Sequence, residues 1–185
     1  AGIGGAESNV AIGVRRLGQR SAWFGRVGAD GFGRMVERRL CAERVDALVL
    51  RDPGFTGLMV KHRGVGGRVN VDYHRAGSAG SRLGPGDVPL DRIRAAEVLH
   101  LTGITPALSD SARAATLAAV AAARAAGVTV SFDVNHRAKL WDEREARPVL
   151  CELLVAADVV FAGPEEASIV LDDGERVPAT IAADG

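Results

Sequence analysis

The sequence lacks an excess of either charge, a closely spaced pair of cysteines and any long apolar run. Its 23 basic and 23 acidic side chains give a formal net charge of zero, which argues against a dedicated nucleic-acid surface, because such surfaces carry a basic excess. The cysteines, Cys41 and Cys151, have no CxxC spacing, so buried thiols are favoured over a disulfide or a metal site. Charges interrupt every apolar run before the about 18 residues of a membrane span. With no recognisable signal peptide, we expect a soluble cytoplasmic protein without nucleic-acid or membrane partners.

The length favours one compact domain. A chain of 185 residues is long enough to bury a core and too short for two large domains. It opens without methionine on a glycine-rich turn and closes at Gly185 with no recognisable structural ending. We interpret residues 1–185 as part of a single domain from a longer reading frame.

Hydrophobic periodicity predicts alternating strands and helices. The predicted strands are Ser21–Val27, Ala47–Leu50, Val98–Leu101, Val128–Asp133 and Asp158–Phe161. The predicted helices are Ser8–Leu17, a helix capped by Asp30 that runs through Leu40, an alanine-rich helix from Ser109 to Ala126, Asp142–Ala156, and Pro164–Leu171. Strands separated by helices of these lengths are typical of an α/β fold with a mostly parallel sheet.

Two β-rich runs interrupt this alternation. Thr56–His62 and Arg68–Arg75 are joined by Gly64–Gly67, which predicts a β-hairpin inserted at about residues 56–75. From Val69 to Tyr73 every second residue is apolar, so one side of the hairpin is apolar and the other is polar.

The first candidate site is the glycine-rich turn from Gly2 to Asn9. In an open α/β sheet, ligands bind in loops beyond the carboxyl ends of strands, and glycines allow close approach of the backbone. Gly2 and Gly4 fit the dinucleotide pattern G-x-G-x-x-G, but Glu7 occupies its third position. A plain tight turn is the alternative.

Two further segments carry polar side chains of suitable chemistry. Tyr73 and Arg75 share one face of a strand, and a phenol beside a guanidinium suits a small hydroxylated carboxylate. The alternative is a cross-strand aromatic with a surface arginine. After the next-to-last predicted strand, Asp133 and Asn135 can anchor a loop from which Arg137 clamps a carboxylate or phosphate; a purely structural loop is the alternative.

Two acidic residues open the last predicted helix. Glu165 and Glu166 lie in its first turn, where the helix macrodipole alone would explain them. A site near a magnesium-bound phosphate would also place a carboxylate here, because hard cations take oxygen ligands.

In order along the chain, three segments resemble the ribokinase-like (PfkB) carbohydrate kinases. Gly4–Ala11 resembles the family segment G-G-x-x-x-N-x-A, and Gly25–Gly33 resembles G-x-V-G-x-D-x-x-G. Gly163–Glu166 lies where the family has N-x-x-E. The resemblance runs from Gly4 to Leu171 and implies a ribokinase-like fold in which the hairpin is a small lid.

Within that family, Tyr73–Ala79 and Asp133–Trp141 resemble the 2-keto-3-deoxygluconate kinases. The resemblance implies that Gly4, Gly5 and Asn9 bind the sugar, and that Tyr73 and Arg75 reach it from the lid.

The same resemblance implies a nucleotide side. Arg137 would meet the substrate carboxylate and lie close to the transferred phosphate, while Asn135 and Gly163 would line the nucleotide. Glu166 would organise Mg²⁺ through water. The implied cofactors are therefore ATP and Mg²⁺.

The sequence departs from the family pattern at three points. Gly163 replaces the asparagine of N-x-x-E, and Met59 stands where some relatives carry a substrate-facing tyrosine. The G-A-G-D segment, with its anion hole and catalytic aspartate, does not occur, so no catalytic residue is assigned. Gly84–Asp87 is no substitute, because it follows the lid directly and Pro85 removes a backbone N–H. The adenine-binding region and the strand before Gly2 are also missing.

The expected activity is ATP-dependent phosphorylation of a sugar acid, 2-keto-3-deoxygluconate, to its 6-phosphate, by a homodimer or larger assembly formed through the lid. A kinase of ribose, fructose or a nucleoside is one alternative. A dinucleotide-dependent oxidoreductase is a second, although it needs a strand before the glycine turn. The third is that these 185 residues are by themselves inactive.

Overall fold

A computed structural model describes residues 2–63, 67 and 69–171 of the chain. These residues form parallel strand pairs, one antiparallel pair and flanking helices, so the predicted α/β class with a small inserted β-hairpin is confirmed. The chain divides into two compact units, Ala1–Leu83 and Gly84–Gly185. Each unit is described by itself.

The first unit is built on two parallel strands. Its elements are α1 (Ala6–Arg16), β1 (Ala22–Gly28), α2 (Gly31–Ala42), β2 (Asp46–Asp52), β3 (Leu58–Arg63), β4 (Val69–His74) and a 3₁₀ helix (Ala79–Arg82). β1 and β2 pair in parallel from Ala22 opposite Asp46 to Gly28 opposite Asp52. Apolar side chains of the two helices and of the residue before β2 form the core of this unit: Ala11, Ile12, Leu40 and Val45, with Ile3, Trp23, Val36 and Ala47 packed against them.

Local capping chemistry sets the ends of α1 and α2. Asp30 accepts a hydrogen bond from the Gly33 N–H and caps α2, as predicted, because a carboxylate satisfies an N–H that the first turn leaves without a partner. α1 ends beside Gly18, which adopts a φ of +87° that glycine reaches without strain.

The lid consists of β3 and β4. They pair antiparallel, with Met59 opposite Tyr73, and the connecting residues 64–66 and 68 lie outside the described part of the chain. Most lid side chains are exposed on both faces, including Val69 at 62%. The pairing prediction is confirmed, and of the apolar positions of β4 Val69 and Tyr73 are exposed while Val71 is partly buried.

The second unit is built on three parallel strands in the order β5-β6-β7. Its elements are a 3₁₀ helix (Pro85–Asp87), α3 (Leu90–Arg94), β5 (Val98–Thr102), α4 (Asp110–Ala125), β6 (Thr129–Asp133), α5 (Glu143–Ala156), β7 (Val159–Phe161) and α6 (Pro164–Val170). Ser109 and Asp142 cap α4 and α5 through their side chains. The strands therefore run side by side, and their carboxyl ends, Thr102, Asp133 and Phe161, meet at one edge.

Some local features differ from the sequence expectations. The two 3₁₀ helices and α3 were not predicted, because segments of three to five residues are too short to show a helical period. Cys41 was expected to be buried but is exposed, and Cys151 is partly buried. Among the described residues, no helix combines the length and the apolar character that crossing a membrane requires.

Candidate functional site

The glycine-rich turn leads directly into α1. Gly5 is the residue before the helix, with extended backbone angles and no side chain to act as a cap. Its carbonyl accepts hydrogen bonds from the Asn9 N–H and the Ser8 hydroxyl, both at 3.0 Å. The turn is therefore held by the backbone N–H of Asn9 and by the Ser8 hydroxyl, and neither hydrogen bond uses the side-chain carboxamide of Asn9.

Asn9 lies on the face of α1 that turns toward α2. It lines a cavity of about 490 Å³ whose described walls come from Gly2, Ile3 and the two helices. Two of the lining residues, Arg16 and Arg39, form ion pairs with Glu43 at 2.6 and 2.7 Å. The described lining includes no lid residue, so the structure places Asn9 beside α2.

The lid brings three side chains together next to the glycine turn. A Cβ atom added to Gly4 would lie 3.8 Å from Cε of Met59, and Met59 is paired across the lid with Tyr73. The guanidinium carbon of Arg75 lies 4.2 Å from the centroid of the Tyr73 ring, which is cation–π geometry. The predicted neighbours Tyr73 and Arg75 are therefore in contact, with Met59 between them and the glycine turn.

In the second unit, the loop after β6 holds the predicted polar residues. The Asn135 amide donates a hydrogen bond to Oδ2 of Asp133 at 2.8 Å, and Asn135 has a φ of +40°. Positive φ is strained for most residues, but asparagine tolerates it better than others. The backbone is thus bent sharply at the carboxyl end of β6, and the Asp133 carboxylate is held inside the bend.

Polar atoms without protein partners are concentrated in this loop. Oδ1 of Asn135, Nε2 of His136 and Nε1 of Trp141 are buried, and the described residues offer none of them a hydrogen bond. Buried polar atoms in native proteins are normally satisfied by protein or by bound molecules. The loop is therefore a place where water or a ligand supplies hydrogen bonds.

The electrostatics place Glu166 and Arg137 near Asp133. Burial is the main reason that the pKa of Asp133 is raised, and the negative charge of Glu166 raises it further. The hydrogen bond from Asn135 and electrostatic interactions with His100 and Arg137 act in the opposite direction. The pKa of Asp133 is therefore set by a second carboxylate, an arginine and a histidine at this edge of the sheet.

Glu166 also has a structural role. Its Oε2 accepts a hydrogen bond from the Gly163 N–H at 2.9 Å, and the Gly163 carbonyl accepts one from Ala167 at 2.8 Å. The Glu166 side chain therefore caps the first turn of α6, and the bond from Ala167 is the first hydrogen bond of the helix itself. Both polar backbone groups of Gly163 are already used within the helix, and the hydrogen bond to Gly163 restricts the Glu166 carboxylate.

His100 is a site residue that the sequence reasoning missed. Its Nδ1 lies 3.0 Å from Oγ of Ser131 on the neighbouring strand, and its electrostatic interaction with Asp133 lowers the pKa of that carboxyl. The available signal was the polar residue between Leu99 and Leu101 in an apolar strand. By itself that pattern does not distinguish a site residue from a hydrogen-bonded core histidine.

Comparison with known proteins decides the family. The family model described as pfkB family carbohydrate kinase matches residues 1–182. The chain belongs to this family. A carbohydrate kinase domain excludes the oxidoreductase alternative and agrees with the ordered motifs from Gly4 onward.

Among curated relatives of this pfkB family chain, two are 2-dehydro-3-deoxygluconokinases, another name for 2-keto-3-deoxygluconate kinases. The Bacillus subtilis protein is 40% identical over 185 residues, and the match covers 98% of this chain and 56% of the relative. The Thermoproteus tenax protein is 39% identical, with 95% and 54% covered. A fructokinase from Klebsiella pneumoniae is 37% identical, with 90% and 54% covered. The chain thus spans about half the length of the curated relatives it matches.

Solved structures agree with the family. A PfkB protein from Polaromonas sp. JS666 superposes with a TM-score of 0.86 at 38% identity, covering 95% of this chain and 60% of that one. A sugar kinase from Pyrococcus horikoshii in complex with ATP superposes with a TM-score of 0.81 at 29% identity, covering 89% and 55%. The pfkB kinase fold is therefore shared across the described part of the chain.

Proposed function

We propose that the whole protein is an ATP-dependent kinase of a sugar acid, 2-keto-3-deoxygluconate, and converts it to the 6-phosphate. The observation that carries the proposal is the group at the carboxyl ends of the parallel strands, where Asp133, Arg137 and Glu166 interact. Ligands of open α/β folds bind at this end of a sheet. Because ATP is the phosphate donor, the proposal places the protein in the cytoplasm.

On the first unit, the lid residues are proposed to recognise the sugar acid. Stacking against Tyr73 restricts the Arg75 guanidinium, and a restricted guanidinium loses less freedom when it binds a carboxylate. Gly4, Gly5 and Asn9 are proposed to contact sugar hydroxyls. The fixed turn at Gly5 supports this assignment, because the structure leaves the Asn9 side chain exposed.

On the second unit, Arg137 is proposed to bind the substrate carboxylate and to lie close to the transferred phosphate. Arg137 is exposed, so its guanidinium is accessible to an anionic ligand. Asn135 and Gly163 are proposed to line the nucleotide. The Gly163 N–H is already bonded to Glu166, so Gly163 would act by leaving space, and the buried Oδ1 of Asn135 would accept a hydrogen bond.

The carboxylates of Asp133 and Glu166 fit a magnesium ion. Mg²⁺ prefers oxygen ligands and keeps several waters, and in this loop the two carboxylates are near enough for Glu166 to raise the pKa of Asp133. Among the described residues no group of three or more metal-binding side chains is assembled. In this proposal the ion is held through water and phosphate. When bound, Mg²⁺ would neutralise charge on the ATP phosphates.

The proposed chemistry depends on positioning and electrostatics. Phosphoryl transfer spreads negative charge over the equatorial oxygens of the transferred group. Arg137 would offset this charge and orient the substrate, and the Asp133–Asn135 hydrogen bond would keep the loop in place. The group that accepts the hydroxyl proton is not assigned among these residues.

A fructokinase activity is the second candidate. The 37% identical relative from Klebsiella pneumoniae favours it. Fructose carries no carboxylate, so only the sugar-acid candidate requires an arginine that binds a substrate carboxylate. A protein that uses Arg137 for a substrate carboxylate must discriminate between acidic and neutral sugars.

The test is the variant Arg137→Ala in the whole protein. We expect it to lose about 2–4 kcal/mol of transition-state stabilisation toward 2-keto-3-deoxygluconate, because a charged contact is removed from a closed site. Toward fructose the loss should be smaller, because only the contribution of Arg137 to the transferred phosphate is removed and no substrate carboxylate contact is lost. The control is Arg144→Ala, an exposed arginine at the start of α5. Equal losses of kcat/KM for both sugars in Arg137→Ala would contradict the substrate assignment.

We also propose that the whole protein forms a homodimer through the lid. Val69 and Tyr73, which share one face of β4, are 62% and 38% exposed, and an exposed apolar strand face favours a partner surface. Val69→Asp should therefore produce monomers in sedimentation at micromolar concentration. Val155→Asp, at a position on α5 that is 83% exposed, should not. A wild-type protein that sediments only as a monomer would contradict the proposal.

A further inference from the structure

Both ends of the lid are hydrogen-bonded to one buried carboxylate. Asp52 is the last residue of β2 and is only 3% exposed. Its Oδ1 accepts a hydrogen bond from the Gly54 N–H at 2.7 Å and another from Nη1 of Arg82 at 3.0 Å. Gly54 precedes β3, and Arg82 ends the 3₁₀ helix that follows β4. A single oxygen atom therefore holds the segment leading into the lid and the segment leaving it.

Asp52 is itself fixed to the parallel strands. Its Oδ2 accepts a hydrogen bond from Nη1 of Arg26 at 3.0 Å, and its backbone carbonyl accepts one from Ala29 at 2.8 Å. The pKa of Asp52 is lowered, chiefly by the hydrogen bond from the Gly54 N–H and then by the charges of Arg82 and Arg26. The carboxylate is therefore ionised at neutral pH, the state that its three donors require.

A second carboxylate strengthens the segment leading into the lid. Oδ2 of Asp30 accepts from the Thr56 N–H at 2.7 Å, and its Oδ1 accepts from the Thr56 hydroxyl at 2.8 Å. The same hydroxyl accepts from the Gly28 N–H at 2.9 Å. In addition, the Ala79 N–H donates to the Phe55 carbonyl at 2.8 Å, which joins the two ends directly.

The lid strands have little of this support. All but two of the lid-strand residues are exposed, and an isolated pair of strands is only marginally stable in water. The orientation of the lid therefore depends on how its two ends are held. Local opening is easiest where few buried contacts must be broken.

We propose that Asp52 is a positioning residue that sets the orientation of the lid and, through it, the place where Tyr73 and Arg75 meet the sugar. The inference rests on the proposed function, because it assumes that these two lid residues contact the substrate. Asp52 does not touch the substrate in this proposal. Its contribution is to hold both lid ends on the same atom, so that the lid moves as one body.

The sharpest variant is Arg82→Met in the whole protein. It removes the bond to the segment leaving the lid and keeps Asp52 bonded to Gly54 and Arg26. Arg82 is half exposed, so methionine should be accommodated. The matched control is Arg26→Met, which removes a bond of the same length, 3.0 Å, to the same carboxylate but leaves both lid connections in place.

Two measurements separate positioning from general stabilisation. Amide hydrogen exchange in residues 58–63 and 69–74 should accelerate about 10-fold in Arg82→Met, the size expected for a lost charged hydrogen bond at a partly exposed site. The same variant should raise KM for 2-keto-3-deoxygluconate about 10-fold or more with a smaller change in kcat, because misplaced binding groups weaken binding. Arg26→Met should change neither the exchange rate nor KM by more than about twofold. Asp52→Asn should have the same effects as Arg82→Met, and combining the two substitutions should add nothing further.

The outcomes distinguish the inference from the proposed function. Faster exchange in the lid with an unchanged KM would support the anchoring by Asp52 but overturn the assignment of the lid to substrate binding. Unchanged exchange in Arg82→Met, or equal acceleration in both arginine variants, would overturn the positioning role. In that case an effect of Arg75→Ala on KM would still support the proposed function.

Discussion

Arg75 and Tyr73 stack on the lid, with the guanidinium carbon 4.2 Å from the ring centroid. The two residues lie two positions apart at the end of β4, where the period of a strand places them on one face. A cation over an aromatic ring is stabilised by the ring quadrupole. The contact therefore keeps a positive charge at the edge of the lid.

This contact can be tested with two substitutions of Tyr73. In the whole protein, Tyr73→Leu should lower kcat/KM for the sugar acid by about two- to fivefold more than Tyr73→Phe, because only leucine abolishes the cation–π attraction. Phenylalanine also controls for the loss of the hydroxyl. If the two variants behave alike toward the acid, the stacking does not orient Arg75.

A second prediction concerns the close approach of backbone segments at Gly28. A Cβ atom there would lie 2.6 Å from both the Gly54 carbonyl oxygen and the Thr56 nitrogen, and backbone atoms cannot yield easily. Gly28→Ala should therefore reduce the free energy of unfolding by about 1–3 kcal/mol. Gly86→Ala is the control, because a Cβ at Gly86 meets nothing within 4 Å. Denaturant titration that finds the two variants equally stable would refute the prediction.

A third prediction uses the raised pKa of Asp133. Folding raises this pKa, mainly through burial, so the ionised carboxylate destabilises the folded state. This destabilisation appears as pH rises from the unfolded pKa of about 4 through the folded pKa. Asp133→Asn keeps an acceptor for Asn135 and removes the charge. Its Tm should exceed that of the wild type at pH 7, while its kinase activity falls.

The opposite behaviour is expected at Asp158. Its pKa is lowered, first by the hydrogen bond from the Val130 N–H and then by Arg124. The ionised carboxylate therefore stabilises the folded state above the unfolded pKa, and this stabilisation is lost as pH falls through the folded pKa. Asp158→Asn should lower Tm at pH 7, and the difference should shrink on acidification. Thermal scans in which Asp133→Asn and Asp158→Asn shift Tm in the same direction at pH 7 would show that burial does not control the pKa of Asp133.

A fifth prediction concerns the 185 residues alone. They contain no G-A-G-D segment, and the resemblance assigns to that segment both the proton acceptor and the anion hole. Loss of one set of transition-state donors typically costs about 10²–10³ in rate, and loss of a general base costs about 10²–10⁴. We expect no ATP-dependent sugar phosphorylation above background. Normal turnover in a coupled ADP-release assay would overturn the prediction.

Local chemistry in the sequence determined most of the helix and strand assignments. Asp30 caps its helix as expected, because a capping side chain bonds a backbone N–H only three residues away. Ser109 and Asp142, the first residues of two predicted helices, cap α4 and α5 in the same way. The parallel strands and the lid pair followed from residue periodicity. The order of the glycine-containing motifs was sufficient to identify the carbohydrate kinase family.

Only the tertiary structure decided which polar residues meet. Asp52 is bonded to Arg26 and Arg82, which lie 26 and 30 positions away in the chain. His100 and Glu166, which influence the pKa of Asp133, belong to β5 and α6, whereas Asp133 ends β6. Hydrophobic period and turn chemistry describe neighbours within a few residues, so they cannot specify such pairs. In the sequence, Asp52 is simply the polar end of a strand. Its position as the shared acceptor for both ends of the lid follows from the way β1, β2 and the lid segments pack together.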